Sequence, residues 1–120
     1  MTTVVIPSYE PDRRLVELVR ALQEEEGVRL VVVDDGSGPG CARTFAEVAA
    51  VGATVLTHPR NKGKGAALRT AFTHLLATGS TDEVVCADSD GQHRPNDVLA
   101  VAAAAVAAMT VRLLVLWVPA

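Results

Sequence analysis

The chain has 120 residues, of which 49% are hydrophobic and only 3% aromatic, and its formal net charge is -3. That length fits one domain over residues 1–120, and an apolar share drawn from Val, Leu and Ala is what helices layered on a parallel sheet require. The mild charge, without a long basic run, excludes nucleic acid as a partner, while Cys41 and Cys86 are too few for a disulfide framework or a zinc site.

In chain order, "TTVVIP" reads as the first strand, followed by the polar loop "PSYEPD". The segment "DRRLVELVRALQEEEG" places Leu15, Leu18, Val19 and Leu22 at helical spacing, with Asp12 as the cap and Gly27 as the close. "VRLVVVDD" is the second strand, and "DDGSGPG" leads into a helix, "CARTFAEVAAVG", that stops at Gly52. "ATVLTH" is the third strand, "HPRNKGKG" its loop, and "GAALRTAFTHLLATG" a helix that stops at Gly79. A fourth strand, "DEVVCADSD", opens into "DSDGQHRP". Residues 98–120 are almost wholly apolar and long enough to raise a membrane span. Arg112 inside that span argues for the other reading, a helix from about Asn96 and a fifth buried strand ending near Val118.

The alternation predicts an α/β fold, a Rossmann-like, mostly parallel sheet with right-handed crossovers and flanking helices. Ligands of such sheets sit outside the carboxyl ends of the strands, near the point where strand order reverses. The chemistry is therefore expected in the four polar loops. The first apolar run is too short for a signal peptide, so a cytoplasmic location is expected.

Asp88 and Asp90 stand one residue apart directly after a buried strand, with Gln92 at the same alternating spacing and Gly91 to allow a tight turn. Hard cations such as Mg²⁺ or Mn²⁺ take such oxygen ligands together with phosphate oxygens; a solvated turn is the plainer alternative. In "RNKGKGAALRTA", Arg60, Lys62, Lys64 and Arg69 surround Gly63 and Gly65 at a helix start, a setting for a diphosphate or simply a solvated basic turn. Asp34 or Asp35 can accept hydrogen bonds from a base or ribose, or can serve an Asx turn. Tyr9 can stack on a base or be an ordinary rim aromatic. The three histidines, His58, His74 and His93, lie in separate segments and suggest no ligand cluster.

"VVIPSYEPD", "VVVDDGSG", "NKGKGAALRTAF" and "ADSDGQHRPND", in that order and at these intervals, resemble the nucleotide-binding half of family 2 glycosyltransferases with the GT-A fold. The segments "GKGAAL" and "DSDGQH" look most like those of dolichyl- or polyprenyl-phosphate mannosyl- and glucosyltransferases. The resemblance implies transfer of a hexose, with inversion, from a nucleotide-diphosphate sugar of the GDP-mannose or UDP-glucose type to an acceptor such as polyprenyl phosphate. It implies that Pro7, Tyr9 and Glu10 line the base and ribose pocket, that Asp35 binds the base with Asp34 beside it, and that Lys64 approaches the diphosphate. Asp88, Asp90 and Gln92 would hold Mg²⁺ or Mn²⁺, with Asp88 also at the nucleotide and Asp88 and Asp90 catalytic through the metal.

The end "VRLLVLWVPA" departs from the "GSR"-like continuation of the family, so the C-terminal part of the fold is expected to be truncated. Two alternatives follow. A truncated nucleotide-sugar-binding module would keep the donor site without transfer. A receiver-type phospho-acceptor domain would need an acidic pair after the first strand and a lysine after the fifth, whereas the pair here follows the second and no lysine follows Lys64. A lipid-phosphate acceptor would bring the protein to the cytoplasmic face of a membrane.

Overall fold

A computed structural model describes residues 1–87 and 115–117. Five strands, β1 (Thr2–Ser8), β2 (Val28–Asp34), β3 (Thr54–Thr57), β4 (Glu83–Cys86) and β5 (Val115–Trp117), form one sheet in the order β3-β2-β1-β4-β5. Every neighbouring pair is parallel. Helices α1 (Arg13–Gln23), α2 (Ala42–Val51) and α3 (Lys64–Ala77) alternate with the first four strands, and one 3-10 turn, Pro39–Cys41, precedes α2. This is the α/β, Rossmann-like arrangement that the alternation of strand and helix predicts, and it is consistent with the GT-A fold.

The strands are apolar on both faces because both faces are covered. Val4, Ile6, Leu30, Val32 and Val85 pack with α1 and α2 residues Leu15, Val19, Phe45 and Val48. Val5, Val31, Val33, Val84 and Cys86 pack on the opposite side with Ala67 and Ala71 of α3. The chain steps outward from β1 to β2 to β3 and then returns across the sheet to β4. With right-handed crossovers, that reversal of direction requires α3 on the other face from α1 and α2. The reversal also leaves β1 and β4 adjacent, so the topological switch point lies at their carboxyl ends.

Local signals set the helix ends. Asp12 accepts the Arg14 amide at 2.9 Å and caps α1. Helix α1 stops at Gln23, short of the expected Gly27. Three successive glutamates, Glu24, Glu25 and Glu26, would lengthen it against the negative end of the helix dipole, and the chain turns there instead. Helix α3 closes at Gly79, whose amide reaches Leu76 O at 3.1 Å while Ser80 N reaches Leu75 O at 3.0 Å, the paired bonds of a Schellman motif. β5, parallel to β4, is the fifth strand expected near the end of the chain. The helix expected from about Asn96 lies outside the described residues, as does most of the apolar stretch. No helix among the described residues is long and apolar enough to cross a membrane.

Candidate functional site

The parallel register carries two consecutive rows of three residues to the carboxyl edge. Ser8 pairs with Asp34, and Asp34 with Thr57, so Tyr9, Asp35 and His58 follow together as the strands end. The ladder extends slightly beyond the strands, with Asp35 N donating to Ser8 O and His58 N to Asp34 O, each at 2.8 Å. On the other side of β1, Ala87 N donates to Val5 O at 3.0 Å. Carbonyls of alternate residues point to opposite neighbours, so Pro7 lies on the β4-facing side, where it has no N–H to give. The β1–β4 pairing runs from Thr2–Glu83 to Val5–Cys86 and stops short of it.

Asp35 is 4% exposed and holds the loop between β3 and α3. Its Oδ1 accepts from the Lys62 amide at 2.9 Å and lies 2.8 Å from His58 Nδ1. Its Oδ2 accepts from the Gly63 amide at 2.9 Å and from Asn61 Nδ2 at 3.3 Å. Burial pushes this carboxyl up, but the His58 bond and the two backbone donors outweigh it and hold Asp35 below the ordinary aspartate value. The protein's own donors thus offset the Asp35 charge at this edge. Gly36 makes the approach of the two loops feasible: at φ +73°, a Cβ there would overlap the Arg60 and Asn61 backbone.

Asp34 behaves differently. Its Oδ1 accepts the Ser37 amide at 2.9 Å, the Asx turn that the sequence offers as one of two alternatives, and its Oδ2 holds no hydrogen bond among the described residues. Ser37 Oγ in turn accepts the Glu10 amide at 2.9 Å. Glu10 has φ +48°, a left-handed conformation that is costly for a residue without glycine's freedom, and this one also precedes a proline. The Asp34–Ser37–Glu10 chain therefore fixes a strained turn at the mouth of the switch point. Beside it, Tyr9 is 51% exposed, and the Glu10 carboxylate, by charge first and by hydrogen bonding as well, raises its phenol above the ordinary tyrosine value. Tyr9 therefore presents an exposed ring with a protonated hydroxyl.

The structure brings Pro7, Tyr9, Glu10, Asp34 and Asp35 to one edge, with the loop leading to the exposed Lys64 tied to the same edge through Asp35. Asp88, Asp90 and Gln92 lie outside the described residues. Among the described residues no three His, Cys, Asp or Glu side chains group in a way that could hold a metal ion. Sequence reasoning missed His58, Asn61, Ser37 and Gly36. The signal for His58 was available only through strand register, which sets it beside Asp35 although 23 residues separate them in the chain.

The sequence model of Glycosyl transferase family 2 matches residues 3–112. An uncharacterized protein of Methanocaldococcus jannaschii is 34% identical over 95 residues, covering 79% of this chain and 37% of that protein. The UDP-N-acetylglucosamine–dolichyl-phosphate N-acetylglucosaminyltransferase of Methanococcus voltae is 27% identical over 109 residues, covering 79% of this chain and 43% of that protein. The chain thus spans well under half the length of these curated relatives. Among solved structures, an FMN-dependent UbiX-like decarboxylase from Escherichia coli O157:H7 superposes over 99% of this chain and 79% of its own, at a TM-score of 0.42 and 14% identity.

Proposed function

The chain belongs to glycosyl transferase family 2, and from that premise we propose that it binds a nucleotide-diphosphate sugar and transfers its hexose, with inversion, to an acceptor of the polyprenyl-phosphate kind. The observation that carries this reading is the linkage of three loops at one sheet edge. Asp34 holds Ser37 and Ser37 holds Glu10, while Asp35 holds Lys62 and Gly63. Base-facing and phosphate-facing groups are thereby fixed relative to each other before any ligand arrives. The dolichyl-phosphate transferase of Methanococcus voltae supports a lipid-phosphate acceptor, and such an acceptor would bring a cytoplasmic protein to the membrane face.

Each residue has a role that follows from its surroundings. Tyr9 offers a ring face for the base, and Pro7 and Glu10 complete the wall for base and ribose. Asp35 is engaged within the protein, so the contact to a base N–H or ribose hydroxyl falls to Asp34 Oδ2, with Asp35 holding the neighbouring loop. Lys64 opens α3, where the positive end of the helix favours the diphosphate. β4 is in register with β1 up to the buried Ala87, and Asp88, Asp90 and Gln92 follow it in the chain. Two carboxylates and an amide oxygen suit Mg²⁺ or Mn²⁺, which would stabilise charge on the departing nucleotide. A phosphate acceptor is already an anionic nucleophile, so none of these residues need act as general base.

Calorimetry with GDP, UDP and their sugars, with and without Mn²⁺, tests donor and metal together. The expected result is Mn²⁺-dependent binding that Asp90→Ala weakens; metal-independent binding, or none, overturns the donor site. Transfer of radiolabelled sugar to polyprenyl phosphate then separates a transferase from a nucleotide-sugar-binding module, which would bind donor and release no labelled lipid.

A further inference from the structure

We infer that His58 is a positioning residue for diphosphate recognition: wedged between β3 and α3, it fixes the Asp35 carboxylate and, through that carboxylate, the basic loop 60–64. The ligand half of this inference rests on the donor reading above; the positioning half rests on hydrogen bonding alone.

His58 is 7% exposed, and both of its ring nitrogens are engaged. A carboxylate can only accept, so Nδ1, 2.8 Å from Asp35 Oδ1, carries a proton and donates it. Nε2 lies 2.7 Å from Thr70 Oγ1, and that hydroxyl reaches the Ala66 carbonyl at 3.0 Å within α3. The ring is therefore held at one end by a helix and aims its other end at a carboxylate. Such an arrangement orients the carboxylate, because a lone aspartate can rotate about its last side-chain bond.

Orientation matters here because each Asp35 oxygen has a separate task. Oδ1 takes the Lys62 amide and Oδ2 takes the Gly63 amide, so a rotated carboxylate would meet neither squarely. These two amides immediately precede Lys64, the first residue of α3. Arg60, Lys62 and Lys64 are exposed, and their charges stand where the backbone of this loop puts them. A buried ring with both nitrogens occupied cannot itself reach a substrate, so His58 acts on the ligand through the loop. Thr70 belongs to the same chain of contacts and anchors it to the helix.

The test uses the full chain and the variants His58→Ala, His58→Asn and Thr70→Val, with amide exchange followed by NMR and affinities measured for GDP and UDP with Mg²⁺. Asparagine can place a side-chain N–H near the position of Nδ1. In His58→Ala the Lys62 and Gly63 amides should exchange about ten- to hundredfold faster, with nucleotide affinity reduced about tenfold, while α1 amides such as Leu18 keep their protection. His58→Asn should restore both properties, and Thr70→Val should fall between; these two variants also decide the matter if His58→Ala does not fold. Unchanged affinity in His58→Ala, or in Thr70→Val where His58→Ala does not fold, or exchange that rises equally in α1, overturns the positioning role. If the native chain binds neither nucleotide, the donor reading and the ligand half fall together. Lys62 and Gly63 exchange still decides whether His58 fixes the loop.

Discussion

Gly36 and Gly79 share nearly the same φ, +73° and +70°, and differ in their surroundings. Around Gly79 a Cβ would meet nothing within 4 Å, so Gly79→Ala should cost only the left-handed strain, about 1 kcal/mol. At Gly36 the same Cβ would overlap the Arg60 carbonyl carbon and the Asn61 nitrogen, which are backbone atoms and cannot swing aside. Gly36→Ala should therefore cost at least about 3 kcal/mol in urea unfolding, and equal losses for the two variants would refute the close approach of the loops. Asp35 supplies a second residue-scale prediction. Its pKa is lowered on folding, so its contribution to stability is fully present above the ordinary aspartate range and disappears as pH falls through the depressed value. Asp35→Asn puts an amide donor against backbone donors and should lose about 1.5–3 kcal/mol at pH 7. That gap between native and variant should close on acidification below the usual carboxylate range. A gap that stayed constant to the lowest measurable pH would mean that Asp35 is not held as a carboxylate.

Helix α3 approaches the sheet through Ala67 and Ala71, four residues apart and both fully buried among Val5, Val31, Val33, Val84 and Cys86. Small residues on this face let the helix lie close, and that closeness brings Thr70 to His58. Ala71→Leu should overpack the layer by about 1–3 kcal/mol, whereas Leu76→Ala, at a side chain 73% exposed, should stay within about 0.5 kcal/mol. Equal effects in chemical denaturation would contradict the burial of this face. The elements themselves were legible because their signals are local: Leu15, Leu18, Val19 and Leu22 at helical spacing, Val-rich runs for β1, β2 and β4, and Gly52 and Gly79 at helix ends. The end of α1 was less legible, because Gly27 is the stronger local stop signal while the three glutamates before it, whose charge opposes the dipole, end the helix earlier.

At the scale of the whole molecule, the carboxyl edge was legible as the place for ligands because βα alternation fixes it, yet its internal wiring was not. The Asp35–His58 contact, the tie from Ser37 to Glu10 and the fit of Gly36 against Arg60 join residues from different loops, and only the parallel register says which of them meet. That wiring has a consequence for stability. Because the edge couples the ends of β1, β2 and β3, a ligand seated there binds the folded sheet and not the unfolded chain, so binding must raise the stability of the entire domain. GDP or UDP with Mn²⁺ at about a hundredfold excess over its dissociation constant should add about 2.7 kcal/mol, a rise in Tm of roughly 10 °C for a domain of this size. Chelation with EDTA, or Asp90→Ala, should remove most of that rise while leaving the nucleotide-free Tm nearly unchanged, since the metal would act only when the diphosphate is bound. A rise that survives both treatments would place the nucleotide elsewhere on the protein, and Asp88 and Asp90 would then have no part in binding it.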